Sequence, residues 1–206
     1  MFHNLAINLS TTHPATYTNE EIIYLTGIMG VHPDLTKQDN ISIEINPFPD
    51  ATRIIVKSAA IQRLDIMIYN KVNYIENLCL RGTQQKSGIA SKWVASQAHA
   101  ASDRGFTHLE AIAFKDSSGN TAVWSGYIVW GKLGYVLYDT SVQDFENLMK
   151  KHSRAEKTMI ELISTPNGLN FWIAEGFPWQ AIFDLTKDSE SFKILNKYLE
   201  LKNKLS

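Results

Sequence analysis

Gln85-Lys86-Ser87-Gly88-Ile89-Ala90 joins an apolar-alternating run to a run with helical spacing. A helix N-terminus leaves its first amides without intrahelical partners, and the macrodipole adds positive potential there. Glycine at position 88 lets backbone approach a ligand closely. A phosphate could therefore sit on the amides from Lys86 to Ala90. An ordinary strand-to-helix connection carries the same residue types, and short glycine motifs match often by chance. The turn contains neither G-x-x-x-x-G-K-[ST] nor G-x-G-x-x-G, which excludes a nucleotide P-loop and a dinucleotide fingerprint.

Two glutamates could act as general bases. Glu76 shares strand parity with Leu78 and Leu80, which puts it on their face. Glu110 lies on the strand pattern after the helix. For each, a solvated strand glutamate is the commoner state. His99, His108 and His152 are scattered and give no metal site. Cys79 is the single cysteine, which excludes an internal disulfide. It alternates away from Leu78 and Leu80, which favours a buried structural thiol over a nucleophile.

The run Gln85 to Ala90 resembles the Q/R-x-x-G-x-G/A signature of the GNAT acyltransferase superfamily. Downstream, Trp130-Gly131-Lys132-Leu133-Gly134-Tyr135 resembles the family's Y-x-x-x-G-F. The segment Ser125 to Tyr135 is also similar to a bacterial GNAT-like subgroup. The resemblance covers about half the chain, from Ile41 to Tyr138. It implies that amides of Gln85, Lys86, Ser87, Gly88, Ile89 and Ala90 bind the pyrophosphate of acetyl-CoA. It implies that the strand through Leu78 and Leu80 supplies backbone groups to the acyl carbonyl and pantetheine arm, and that Trp130 lines the cofactor site. The family's frequent general acid is the tyrosine of Y-x-x-x-G-F, where this chain has Trp130. An indole does not protonate a thiolate near neutral pH. Tyr127, one helical turn earlier, could substitute, and a CoA thiolate can also leave without a strong acid.

The elements that would position these residues follow from periodicity. Thr18 and Glu21 have capping-box spacing, and Gly30 is expected to stop that helix. Strand patterns follow at Ile41–Ile45, in RIIVKSA, at Ile61–Tyr69 and at Val72–Leu80, with a turn at Asn70 and Lys71. Ile89, Ala90, Trp93, Val94, Ala98 and Ala101 form one helical stripe, closed by Gly105. His108–Phe114 returns as a strand, which makes a βαβ unit and implies a parallel pair. Asp116–Asn120 reads as a loop. A short helix to Leu133 should stop at Gly134 and lead into a short strand. Ser141 with Asp144, and Ser153 with Glu156, have capping spacing, and Thr165-Pro166 fits a cap followed by proline. Trp179–Leu185 reads as a late strand, and a final helix begins at Asp188 or Ser189. The fold class is α+β: a GNAT-like mixed sheet, antiparallel meander plus one βαβ unit, with a helical C-terminal insertion. One domain over residues 1–206 is expected, with 141–176 as a helical insertion or lid.

The bulk numbers narrow the function classes. The 206 residues are 44% hydrophobic and 20% charged, which suits a globular core. Net charge is −1 with scattered Lys and Arg, so nucleic acid is not an expected partner. MFHNLAINLSTTHPA has no basic start and no long apolar run, so no signal peptide is expected. No stretch approaches the roughly 18 apolar residues of a membrane helix, so the expectation is a cytoplasmic protein with no membrane partner. The implied cosubstrate is acetyl-CoA, with no metal, and the implied acceptor is a small-molecule or protein amine. A GNAT-fold module that binds CoA without catalysis is the alternative, favoured by Trp130.

Overall fold

The structure is a computed structural model and describes residues 7–11, 17–31, 40–69, 71–83, 88–115 and 126–205. It is mixed α+β, in two compact units, Met1–Leu109 and Glu110–Ser206.

The first unit is built on a mixed sheet. β1 (Ile7–Thr11) pairs in parallel with β2 (Ile41–Pro47). β3 (Ala51–Lys57), β4 (Ile61–Tyr69) and β5 (Tyr74–Gly82) continue from β2 as the expected antiparallel meander. β1 was not anticipated. The turn after β4 takes in Val72 and Asn73, and Asn73 has a left-handed φ of 49°. Asn70 lies outside the described residues.

One face of this sheet is apolar. Ile43 stands opposite Val56, Ile45 opposite Ile54 and Ile68 opposite Ile75, and all six are buried. Cross-strand partners share a face, so these rows make one inner layer. α1 (Asn19–Leu25), α2 (Ile28–Val31) and α3 (Ile89–Asp103) complete the unit. Trp93 on α3 is fully buried and its indole N–H donates to the Thr26 carbonyl at 2.6 Å. Asn77 on β5 and Gln97 on α3 are buried and exchange two amide hydrogen bonds, at 2.9 and 3.0 Å. Each satisfies the other, which removes the cost of burying them.

The capping box at Thr18 and Glu21 forms. The expected stop at Gly30 does not. The chain turns earlier, at Gly27 with φ +67°, and Gly30 sits inside α2. A Cβ at Gly30 would lie 2.4 Å from the Lys92 carbonyl oxygen, so that position is set by close approach of α2 to α3. α3 closes as expected: the Phe106 amide donates to the Ala101 carbonyl across Gly105. β6 (His108–Ala113) begins beside the start of β5, where the Thr107 amide donates to the Asn73 carbonyl at 2.8 Å.

In the second unit α4 (Gly126–Lys132) ends at Gly134, and β7 (Val136–Leu137) pairs antiparallel with β8 (Trp179–Asp184). Between them run α5 (Thr140–Lys151), α6 (Met159–Ile163) and α7 (Pro166–Glu175), and α8 (Glu190–Leu205) follows. Segment 141–176 is therefore largely helical. Thr165 caps α7 with Pro166 at its start, as the spacing predicts. Two other expected caps are corrected. Ser141 Oγ accepts from the Gln180 amide instead of capping α5. Ser153 takes φ +52° just after α5, and the capping box belongs to Thr158 with Glu161 at the start of α6. Asp116–Asn120 lies outside the described residues.

Candidate functional site

The last turns of β5 and the entry to α3 lie within the first unit. The β4–β5 register slips between Asp65 and Ile66: Asp65 stands opposite Cys79, but Ile66 stands opposite Asn77. Leu78 is thus an extra residue, a β-bulge. A bulge leaves its extra residue unpaired and often sits beside an active site. Leu78 is 39% exposed.

The bulge corrects the expected placement of Glu76. Parity counts one residue per pleat, and the inserted Leu78 reverses the count beyond it. Leu80 stands opposite Leu64 and so joins the inner, apolar face. Glu76 stands opposite Met67 and joins Cys79 and Asp65 on the outer face. Cys79 is half-buried, not buried. Burial pushes its thiol up, so it is not poised as a nucleophile.

On that outer face Glu76 is held. The Tyr69 hydroxyl donates to Glu76 Oε2 at 3.0 Å. The Tyr69 ring stacks on Tyr74 at 4.5 Å, and Tyr74 stacks on His108 at 4.9 Å. Burial first, then the bond to Glu76 and its charge, push the Tyr69 phenol up to about 12. It therefore stays protonated and donating across the neutral range. The sequence singled out Glu76 and His108, but not the two tyrosines that join them. Their signal was positional: Tyr69 and Tyr74 flank a tight turn and face each other in register.

α3 begins at Gly88, whose φ of +78° and ψ of 3° are left-handed. No side chain among the described residues caps this helix. The Ser91 hydroxyl instead donates to the Gly88 carbonyl at 2.8 Å. Among the described residues, a Cβ added at Gly88 would meet only Ser91 Oγ, at 3.9 Å, so these leave the Gly88 backbone approachable. Gln85, Lys86 and Ser87 lie outside the described residues.

Tyr127 and Trp130 lie on α4 in the second unit. Tyr127 is 1% exposed, and its ring lies 6.5 Å from that of Trp172. Its carbonyl accepts both indole N–H groups, Trp172 and Trp179, at 3.0 Å each. Burial pushes its phenol up. Tyr127 is thus a core residue of this unit. The Trp130 ring meets Tyr135 edge-on at 4.8 Å. Glu110 is half-buried. His99 is exposed, and His152 is exposed with Nε2 at 3.8 Å from Glu175 Oε2.

A second cluster on the outer sheet face was not anticipated. Asp65 is 2% exposed and takes a bidentate pair from Arg53, at 2.9 and 2.8 Å. Arg63 adds two further bonds to Asp65 Oδ2, at 3.2 and 2.6 Å. Burial pushes the Asp65 carboxyl up, but the bonds and charges of the two arginines outweigh it and hold it below its ordinary value. A lowered folded value gives stability that is present above the unfolded pKa and lost as pH falls through the folded one. Asp65→Asn is expected to cost about 2 kcal/mol at neutral pH. It should also flatten the loss of stability below about pH 4. Urea unfolding at neutral and acid pH measures both; a variant as stable as wild type at neutral pH would show that the cluster contributes nothing net.

Among the described residues, no group of three or more His, Cys, Asp or Glu is placed to hold a metal ion, and no helix is long and apolar enough to cross a membrane. Comparison with protein-family models, curated proteins and solved structures found no match to the chain.

Proposed function

We propose that the protein is an N-acyltransferase that moves an acetyl group from acetyl-CoA to an amine. The observation that carries this is the run from the Leu78 bulge to the left-handed, uncapped start of α3 at Gly88. The bulge releases strand backbone that can hold the acyl carbonyl and pantetheine arm, with Leu80 next along β5. The amides of Gly88, Ile89 and Ala90 suit the pyrophosphate, and the open space at Gly88 leaves room for it. Gln85, Lys86 and Ser87 complete that turn in sequence. Acetyl-CoA supplies a thioester whose C–S bond breaks as the amine nitrogen bonds to the carbonyl carbon. Glu76, held by Tyr69, takes the amine's proton. The thiolate leaves without a protein acid, because Trp130 cannot donate a proton and Tyr127 serves packing in the second unit.

The same run of backbone also fits a module that binds CoA without chemistry, and Trp130 at the usual acid position favours it. Substitutions at Gly88 test the binding step common to both. Asn and Asp tolerate a left-handed φ better than other side chains and have nearly the same shape. Gly88→Asp places a negative charge at the amides and Gly88→Asn does not. CoA affinity by calorimetry should be about tenfold weaker for the Asp variant, or about 1.4 kcal/mol. Equal affinities in the two folded variants would falsify the cradle.

A further inference from the structure

Arg63 and Arg81 are direct cross-strand partners on β4 and β5. Like charges directly opposite each other destabilise a sheet. A local conflict of this kind is expected at functional positions. Among the described residues the conflict is offset only in part. Asp65 is the acid at this pair, and its single charge is shared between Arg53 and Arg63. Arg81 is exposed and has no acidic partner among the described residues. Lys57, at the end of the neighbouring β3, is exposed and adds a third positive charge to the same end of the sheet. Both guanidiniums act on the Cys79 thiol, pulling against its burial, so they lie around one point of the outer face.

Arg63 is also held in place. Its Nε and Nη2 donate to Asp65 Oδ2, which fixes one edge of the guanidinium against a buried carboxylate. Among the described residues its Nη1 makes no bond, which leaves those donors for a second partner. A fixed arginine fork beside a second arginine suits bidentate binding of an oxyanion. Two guanidiniums and an ammonium, offset by one shared carboxylate, match a dianion better than a carboxylate. We infer that Arg63 and Arg81, flanked by Lys57, form a binding site for a phosphate monoester on the outer face of β4 and β5. The inference does not rest on acyl transfer. The phosphate could be the 3′-phosphate of CoA or that of another phosphate ester.

Arg81→Gln tests it, since this exposed side chain has no hydrogen bond or ion pair to lose among the described residues. In phosphate-free buffer of low ionic strength the variant should melt higher than wild type, because the repulsion is gone. Inorganic phosphate should raise the melting temperature of wild type above that in sodium chloride of equal ionic strength, and should not do so for Arg81→Gln. CoA and dephospho-CoA, titrated into both proteins, identify the source. A preference for CoA of about tenfold in wild type, lost in Arg81→Gln, assigns the site to the 3′-phosphate. A phosphate response that depends on Arg81, with equal affinity for the two coenzymes, assigns it to a separate phosphate ester. If neither phosphate nor the coenzyme pair reveals a difference that depends on Arg81, the site is overturned. CoA binding itself is judged separately by the Gly88 pair, so the two proposals fail independently.

Discussion

Gly134→Ala should destabilise the protein by at least about 3 kcal/mol. Two costs add. Gly134 has φ +95°, where an L-residue is strained by about 1–2 kcal/mol. The new Cβ would also lie 2.3 Å from the Ser191 carbonyl oxygen and 2.9 Å from the Phe183 ring. The oxygen is backbone at the start of α8, so it cannot rotate away. The glycine is required because α4 ends in a Schellman turn. The Tyr135 amide donates to the Trp130 carbonyl at 3.1 Å, and the Gly134 amide to the Gly131 carbonyl at 3.4 Å. The Trp130–Tyr135 ring contact is the apolar contact that accompanies such a turn. Urea unfolding followed by tryptophan fluorescence gives the number. Gly105→Ala is the control, because its φ of +76° carries the same backbone cost but its Cβ would meet nothing within 4 Å. Equal losses at the two glycines would mean that contact with α8 and β8 adds nothing.

This turn also shows what was legible in the sequence. A motif that resembles a family signature is here a helix stop with its own physical content: an apolar residue, a left-handed glycine and a second apolar residue in register. Glycine type and spacing encode that, so the end of α4 was readable. The meander was readable for a similar reason, since Ile41, Ile43 and Ile45 alternate with polar residues and only one face is buried. β1 was not. Ile7 and Leu9 alternate with Asn8 and Ser10, but the run is only five residues long and its parallel partner is far away in sequence. The two capping-box spacings near α6 are a choice that residue type leaves open. Ser153-x-x-Glu156 and Thr158-x-x-Glu161 both fit, and the chain uses the second because Ser153 is already bent out of α5.

The candidate site was legible at its glycine and not at its carboxylate. Gly88 could be placed because a strand pattern ended and a helical stripe began on either side of it. The face of Glu76 could not, because the bulge at Leu78 is set by pairing with β4 and no residue type announces it. Likewise Arg63 and Asp65 were visible as charges in an apolar strand, but their meeting with Arg53 needed the β3–β4 register.

Glu76→Gln is expected to lower turnover by about 100- to 10,000-fold while leaving CoA affinity and folding nearly unchanged. The reacting amine must lose a proton as it bonds to the acyl carbon, and a carboxylate within reach can accept it. Glu76 is half-buried and accepts from the Tyr69 hydroxyl at Oε2, and among the described residues no bond engages its other oxygen. Glutamine keeps the shape and still accepts from Tyr69 through its carbonyl oxygen, but it has no basicity near neutral pH. Tyr69→Phe separates holding from proton transfer. It removes the hydroxyl that aims the carboxylate and leaves the base, so turnover should fall by about tenfold, well short of the Gln variant. The measurement is thiol release from acetyl-CoA with a panel of primary amines, beside CoA affinity for each protein. Equal turnover in wild type and Glu76→Gln removes Glu76 from the mechanism. If wild type binds acetyl-CoA and no amine draws thiol release, the protein is the non-catalytic binder, and the Tyr69–Glu76 pair is a structural bond on the outer face of the sheet.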